Sequence, residues 1–184
     1  MISRPILLAL CACLCFPACK QTDDNNPPAG LDCPTDTTPV KALGGNGFVV
    51  LPNAFSPNGD GRNDMFRVVP AGPASLKSMS IRIIATEGSV ITTLATPSAG
   101  WDGANPTNRQ PYPAGRYRVE YGLVLPGGTG PDLAVNGHTC VTLFRSDTSG
   151  CLMRQGNMGD YTFPDQIDPA TGDAPFVTGE KFCP

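Results

Sequence analysis

In 184 residues the chain carries 21 glycines, 20 prolines, 40% apolar side chains and a formal net charge of −3. Weak acidity without a basic aromatic patch excludes a nucleic-acid footprint. The glycine and proline content suits short strands joined by many turns rather than helices, in one domain of ordinary size.

The chain opens with Arg4 and an unbroken apolar run from Ile6 to Phe16. A charged start and a short apolar run describe a secretory signal over residues 1–18, and the run is well short of the roughly 20 residues that span a bilayer. Phe16-Pro17-Ala18-Cys19 follows. This end resembles the lipobox of bacterial lipoproteins, although Phe16 stands where leucine is usual. The resemblance implies that Cys19 becomes the mature N-terminus, acylated on its sulfur and its amine. Leu10-Cys11-Ala12-Cys13 fits the same local pattern but would strand Leu14 to Phe16 on the mature protein. Several acyl chains, each burying methylenes at about 0.8 kcal/mol apiece, make such an anchor close to permanent. The expectation is a lipid-anchored protein of the outer membrane, in either its periplasmic or its cell-surface leaflet. Removing residues 1–18 takes one base and no acid, so 12 basic against 16 acidic residues leave −4.

Residues 19–47 read as a flexible tether. Lys20 to Asn26 is polar with the paired acids Asp23 and Asp24. This placement resembles the surface-export signal of Bacteroidota lipoproteins, and a solvated spacer explains it equally well. Pro27 to Gly47 is rich in Pro, Gly, Thr and Asp, which describes an extended spacer with no packed element.

The next stretch organises the rest: Leu51-Pro52-Asn53-Ala54-Phe55-Ser56-Pro57-Asn58-Gly59-Asp60-Gly61-Arg62-Asn63-Asp64-Met65-Phe66. Pro57 fixes one φ, Gly59 and Gly61 permit positive φ, and the Asn and Asp side chains can bond nearby amides, so the composition specifies a shaped loop. Ser56, Asn58, Asp60 and Asp64 also fall at spacings reminiscent of calcium loops. Serine at the first position and Arg67 at the twelfth argue for a loop held by its own hydrogen bonds. No cofactor is required; if calcium binds, Asn58, Asp60 and Asp64 are its candidate ligands.

Farther on, Met79, Ile81 and Ile83 alternate with Ser80 and Arg82, Glu87-Gly88-Ser89 makes a turn, and Val90 to Leu94 returns, which is a hairpin signature. Gly100-Trp101-Asp102-Gly103 places a tryptophan to cap a core above a turn. Tyr117, Val119 and Tyr121 then alternate with Arg116, Arg118 and Glu120. Such strands predict an all-β fold, an immunoglobulin-like antiparallel β-sandwich over residues 48–124. The motifs PNAFSPNGDGRND, WDG and PAGRYRVEY, in that order over about residues 48–124, resemble the gliding-motility-associated C-terminal domain, the type B sorting domain of the Bacteroidota type IX secretion system. That resemblance implies the same sandwich, here carried on a lipoprotein.

Residues 125–184 are expected to be a disulfide-stapled, loop-rich extension packed along the sandwich. Pro126 to Pro131 reads as a loop, Leu133 to Val135 and Cys140 to Phe144 as strands, and Asn136-Gly137-His138-Thr139 as a turn. Phe163, Ile167, Phe176, Val177 and Phe182 would pack it down. With Cys11, Cys13 and Cys15 lost with the signal and Cys19 the anchor, Cys33, Cys140, Cys151 and Cys183 remain for two disulfides in an exported protein. Cys140 with Cys151 is the first choice, across a hairpin turn at Ser146 to Gly150, leaving Cys33 with Cys183. A zinc site is less favoured, as there is no CxxC pair and one histidine.

Catalytic machinery is absent from the sequence. His138 is the lone histidine, no GxSxG elbow occurs, and Asp165 and Asp168 sit in a Pro-rich turn. The reading is a non-enzyme whose partners are the membrane, through its lipid, and other envelope or secretion-system proteins. It serves as an accessory of a type IX secretion, gliding or adhesion assembly. The second reading is a type IX cargo whose sandwich is a sorting signal; for that role a lipid anchor would be redundant. An envelope hydrolase would require turnover that depends on Asp60, Asp102 or His138.

Overall fold

The computed structural model describes residues 33, 39–44, 47–71, 76–153, 161–175 and 177–184. The signal at 1–18, Cys19, the acidic run and Phe176 lie outside them. Ten strands appear in chain order: β1 Val40–Gly44, β2 Gly47–Leu51, β3 Ala54–Phe55, β4 Phe66–Arg67, β5 Val69–Ala71, β6 Ser78–Ile84, β7 Val90–Leu94, β8 Gly100–Trp101, β9 Gly115–Leu125 and β10 Leu133–Leu143. They form a three-stranded sheet β1-β2-β5, a five-stranded sheet β3-β10-β9-β6-β7 and a two-stranded ribbon β4-β8. Every pairing between these strands is antiparallel except that of β3 with β10. The fold is the immunoglobulin-like β-sandwich that the alternation predicts.

Alternation decides what each strand buries. On β6, Met79, Ile81 and Ile83 point inward while Ser78, Ser80 and Arg82 meet water. Tyr117, Val119, Leu123 and Leu125 of β9 join them, opposite Ala42, Val49 and Leu51 of the smaller sheet. The hairpin β6–β7 turns through Glu87 and Gly88 as the residue types require. Trp101 lies in this core, and the register Phe66↔Trp101 joins the end of the organising loop to the WDG turn.

Two strands are covered on both faces. Phe48 and Val50 of β2 point away from the core and pack with Ile167 of the C-terminal segment. Phe144, just after β10, packs with Ala54, Leu152 and Phe163, and with the half-buried Tyr161 and Phe182. The extension does pack on the sandwich, as expected, although Val177 is an exception with 91% of its surface exposed.

The structure corrects several expectations. The spacer was to run to residue 47 without packed structure, yet Val40 to Gly44 pairs with β2 along its length and buries Ala42. The sandwich is not contained in 48–124. β10 supplies the strand between β9 and β3, and Val141 and Leu143 complete the core. Nor is β10 broken by a turn at Asn136 to Thr139, because it stays paired with β9 from Leu133 to Leu143. Gly137 faces Tyr121, and a Cβ there would stand 2.6 Å from the tyrosine hydroxyl. That glycine makes room for a cross-strand ring rather than for a reversal.

All four remaining cysteines form disulfides, but the pairs are Cys33–Cys140 and Cys151–Cys183. The turn expected at Ser146 to Gly150 is present, with Ser146 bridged to Leu152 and the Asp147 amide donating to the Cys151 carbonyl at 2.9 Å. This register sets Cys151 opposite Asp147, whereas Cys140 is fully buried within β10 opposite Arg118. Cys140 with Cys151 is therefore excluded by pairing geometry, and with it Cys33 with Cys183.

Candidate functional site: the Asn58 to Asp64 loop and its C-terminal clasp

The loop between β3 and β4 is built by short-range hydrogen bonds from the residue types that mark it. The Asn58 side-chain oxygen accepts from the Asp60 amide at 3.1 Å, and Asp60 Oδ1 accepts from the Arg62 amide at 2.8 Å. The two oxygens of Asp64 accept from Gly59 at 2.7 Å and Gly61 at 2.9 Å. Gly59 and Gly61 have φ of 80° and 84°, and Asn63 also lies at positive φ, 49°. The loop closes at its base, where the Ser56 amide donates to the Asn63 carbonyl at 2.8 Å.

Asn58, Asp60 and Asp64, the candidate calcium ligands, are thus brought together, and their oxygens are already accepting from backbone amides. An ion would have to compete with these bonds. The donor set of one amide oxygen and two carboxylates is chemically suited to calcium, but no bidentate acid completes a calcium sphere from within the loop.

The sequence reading missed what sits on this loop. The side-chain oxygen of Asn63 accepts from the Asp165 amide at 3.0 Å, and the Asn63 amide returns a 2.7 Å bond to Asp165 Oδ2. Asp165 Oδ1 also takes a 2.7 Å ion pair from Arg67. The Asp165 that looked like a turn acid thereby pins the base of the loop to the 3-10 turn Pro164–Gln166. Glu180 closes the other side. Its Oε1 accepts from the Ser56 hydroxyl at 2.7 Å and from Asn63 Nδ2 at 2.8 Å, and its Oε2 accepts from Asn58 Nδ2 at 3.2 Å. Burial raises the Glu180 carboxyl above the ordinary glutamate range, the bonds from Asn63 and Ser56 pull it back, and the charge of Asp60 adds to the rise. No local signal in the sequence connects Glu180 to the loop.

The WDG turn is a second ordered unit. Trp101 Nε1 donates to the Ala104 carbonyl at 2.9 Å, and its ring lies tilted against Phe55 at 5.2 Å and edge-on to Tyr117 at 5.1 Å. Asp102 caps the turn by accepting from the Ala104 amide at 3.1 Å and pairs with Arg109. Burial alone would push the Asp102 carboxyl up, but the Arg109 and Ala104 hydrogen bonds and the Arg109 charge outweigh it and hold it below the usual range. Arg145 reaches in to donate to the carbonyls of Gly103 at 2.6 Å and Tyr112 at 3.1 Å. Burial pushes the Tyr117 hydroxyl up to about 12, so it stays a donor, to the Pro113 carbonyl at 2.7 Å.

Asp60, Asp102 and His138, the residues on which a hydrolase would depend, have separate surroundings. Asp60 caps its own loop, Asp102 pairs with Arg109, and His138 stands exposed on β10 opposite Glu120, whose carboxylate is taken by Arg82 and Arg118. Among the described residues no hydrogen bond joins any two of the three. Asp147, Cys151 and Cys183 also lie close enough to hold a metal, but both sulfurs are committed to one disulfide.

Residues 49–124 match the family model described as the CHU_C type IX secretion signal domain. No curated protein and no solved structure matches the chain.

Proposed function

We propose that this chain, whose residues 49–124 match a type IX secretion signal domain, is a non-enzymatic cell-envelope protein retained by a lipid on Cys19. It presents its sandwich to other proteins as an accessory of a type IX secretion, gliding or adhesion assembly. The observation that carries this reading is the Cys33–Cys140 disulfide. A sorting domain that is cut away from its cargo needs a severable connection upstream of the fold. Here a cut anywhere between Cys33 and the sandwich leaves the two pieces joined through the internal strand β10. The upstream stretch is also engaged, since Val40 to Gly44 is a paired strand.

The same disulfide shortens the leash. Fully extended, the chain from Cys19 to Cys33 spans at most about 50 Å, so an acylated Cys19 keeps the sandwich close to the bilayer surface. Its polar organising loop and the weakly acidic net charge suit contacts with proteins rather than with anionic lipid.

The match to a secretion signal favours one alternative, a cargo whose sandwich is its sorting signal. Mass spectrometry of the native protein purified from envelopes, reading both termini, separates the two. After reduction of the disulfides, an acylated Cys19 on a chain intact to Pro184 is the expected result. An unacylated protein cut or conjugated near the sandwich would make it a cargo.

A further inference from the structure

Residues 180 to 183 lie on the sandwich in the manner of a docked peptide. The Leu152 amide donates to the Lys181 carbonyl at 2.8 Å and the Cys183 amide donates to the Leu152 carbonyl at 3.0 Å, so the segment adds in parallel to Leu152. The Phe182 ring meets Phe144 edge-on at 5.7 Å and stands 6.3 Å from Phe163. Two positions earlier, the Glu180 carboxylate enters the cradle of Ser56, Asn58 and Asn63. A short ladder, an aromatic pocket and side-chain donors facing one carboxylate are the elements from which extended-peptide sites are made.

The seat is organised by residues outside this segment. Phe144, Phe163 and Leu152 are buried among themselves and Ala54. Asn63 is oriented by its paired bonds with Asp165, and both Ser56 and Asn63 are almost fully buried. Their donors point at one acid: the Ser56 hydroxyl and Asn63 Nδ2 both meet Glu180 Oε1, and Asn63 Nδ2 keeps only a longer contact, 3.4 Å, to the Thr178 carbonyl. The seat is thus lined with donors that suit an occupant bringing a carboxyl group. The occupant is fixed there covalently by Cys151–Cys183, whose Cys183 is the less buried partner.

We propose that this seat is a binding site for extended polypeptide segments in which a glutamate precedes an aromatic residue by two positions. Residues 180–183 fill it in cis, Cys151–Cys183 holds it shut, and dithiol exchange opens it to a segment of the same pattern on a partner protein. In that step a thiolate of the dithiol attacks Sγ of Cys183, the bond to Cys151 breaks, and Cys151 leaves as a thiolate that takes a proton. The second sulfur of the dithiol then attacks the mixed disulfide and Cys183 leaves as a thiol. Two electrons pass to the protein and the dithiol becomes a disulfide. With the bond closed, the tethered segment excludes any competitor; once it is open, the competition is one of effective concentration. None of this depends on lipid anchoring, so the failure of either reading leaves the other standing.

The test uses the full mature chain with Cys151→Ser, Cys183→Ser, Glu180→Ala and Phe182→Ala, which empties the seat and keeps Cys33–Cys140. The probe is a fluorescent peptide of residues 178–184 carrying Cys183→Ser. Saturable binding to the variant, weakened about tenfold when the peptide carries Glu180→Ala, and none to the oxidised natural protein are expected. No saturable binding by a cooperatively melting variant, or equal binding of the two peptides, would overturn the proposal. Should the variant not fold, amide hydrogen exchange at Leu152 and Cys183 is followed in the natural protein after a dithiol has reduced Cys151–Cys183. Exchange at least about tenfold faster supports the latch, and unchanged exchange overturns it.

Discussion

Ser56 and Glu180, 124 positions apart, meet in a 2.7 Å hydrogen bond from the serine hydroxyl to the carboxylate. The same oxygen accepts from Asn63 at 2.8 Å. Replacing Glu180 by alanine leaves two buried donors without this acceptor. The expected cost is about 1–3 kcal/mol by urea denaturation, with the slope unchanged. A loss near zero would mean that water satisfies the loop as well as the carboxylate does.

The raised Glu180 carboxyl carries a pH dependence of known sign. The folded state holds this proton more tightly than the unfolded chain does. Its contribution to stability is complete below the ordinary glutamate range and is lost as pH rises through the folded value. Glu180→Gln lacks this titration. The stability of the variant minus that of the natural protein should therefore increase from about pH 4 toward neutrality and then level off. A difference that stays flat across this range would refute the assignment.

The disulfides differ in the loops they close. Chain entropy gives about 4.8 kcal/mol for Cys33–Cys140, with a separation of 107 residues, and about 3.7 kcal/mol for Cys151–Cys183, with a separation of 32. Paired serine substitutions should lower stability in that order. A non-reduced digest should yield the Cys33 and Cys140 peptides as one species.

Trp101 is buried against Phe55, Tyr112 and Tyr117. Trp101→Ala should cost about 3–5 kcal/mol, read as a lowered thermal midpoint. A change below 1 kcal/mol would mean that the ring is peripheral to folding.

Asp64 organises two glycine amides, so Asp64→Ala should cost about 1–3 kcal/mol and speed exchange at Gly59 and Gly61. Because its oxygens are engaged in this way, millimolar calcium or a chelator should leave the thermal midpoint of the natural protein unchanged. A rise with calcium that is abolished by Asp60→Asn would instead identify the loop as a metal site.

Much of this protein was legible in the order of its residues. The alternation of Met79, Ile81 and Ile83 and of Tyr117 and Val119 assigns each strand an inner face, because side chains on a strand repeat every two residues. The glycines and acids of the Asn58 to Asp64 loop specify its shape, because their bonds reach only a few positions along the chain. These interactions are local, and a sequence displays them directly. The tertiary structure decided which pieces meet: Val40 to Gly44 on β2, an unbroken β10 between β9 and β3, Cys33 with Cys140, and Glu180 in the loop. They depend on which strands pair and in what register, and a one-residue slip in a register would send every side chain of that strand to the opposite face. A turn between two cysteines suggests their pairing, but only the register shows which sulfurs face one another.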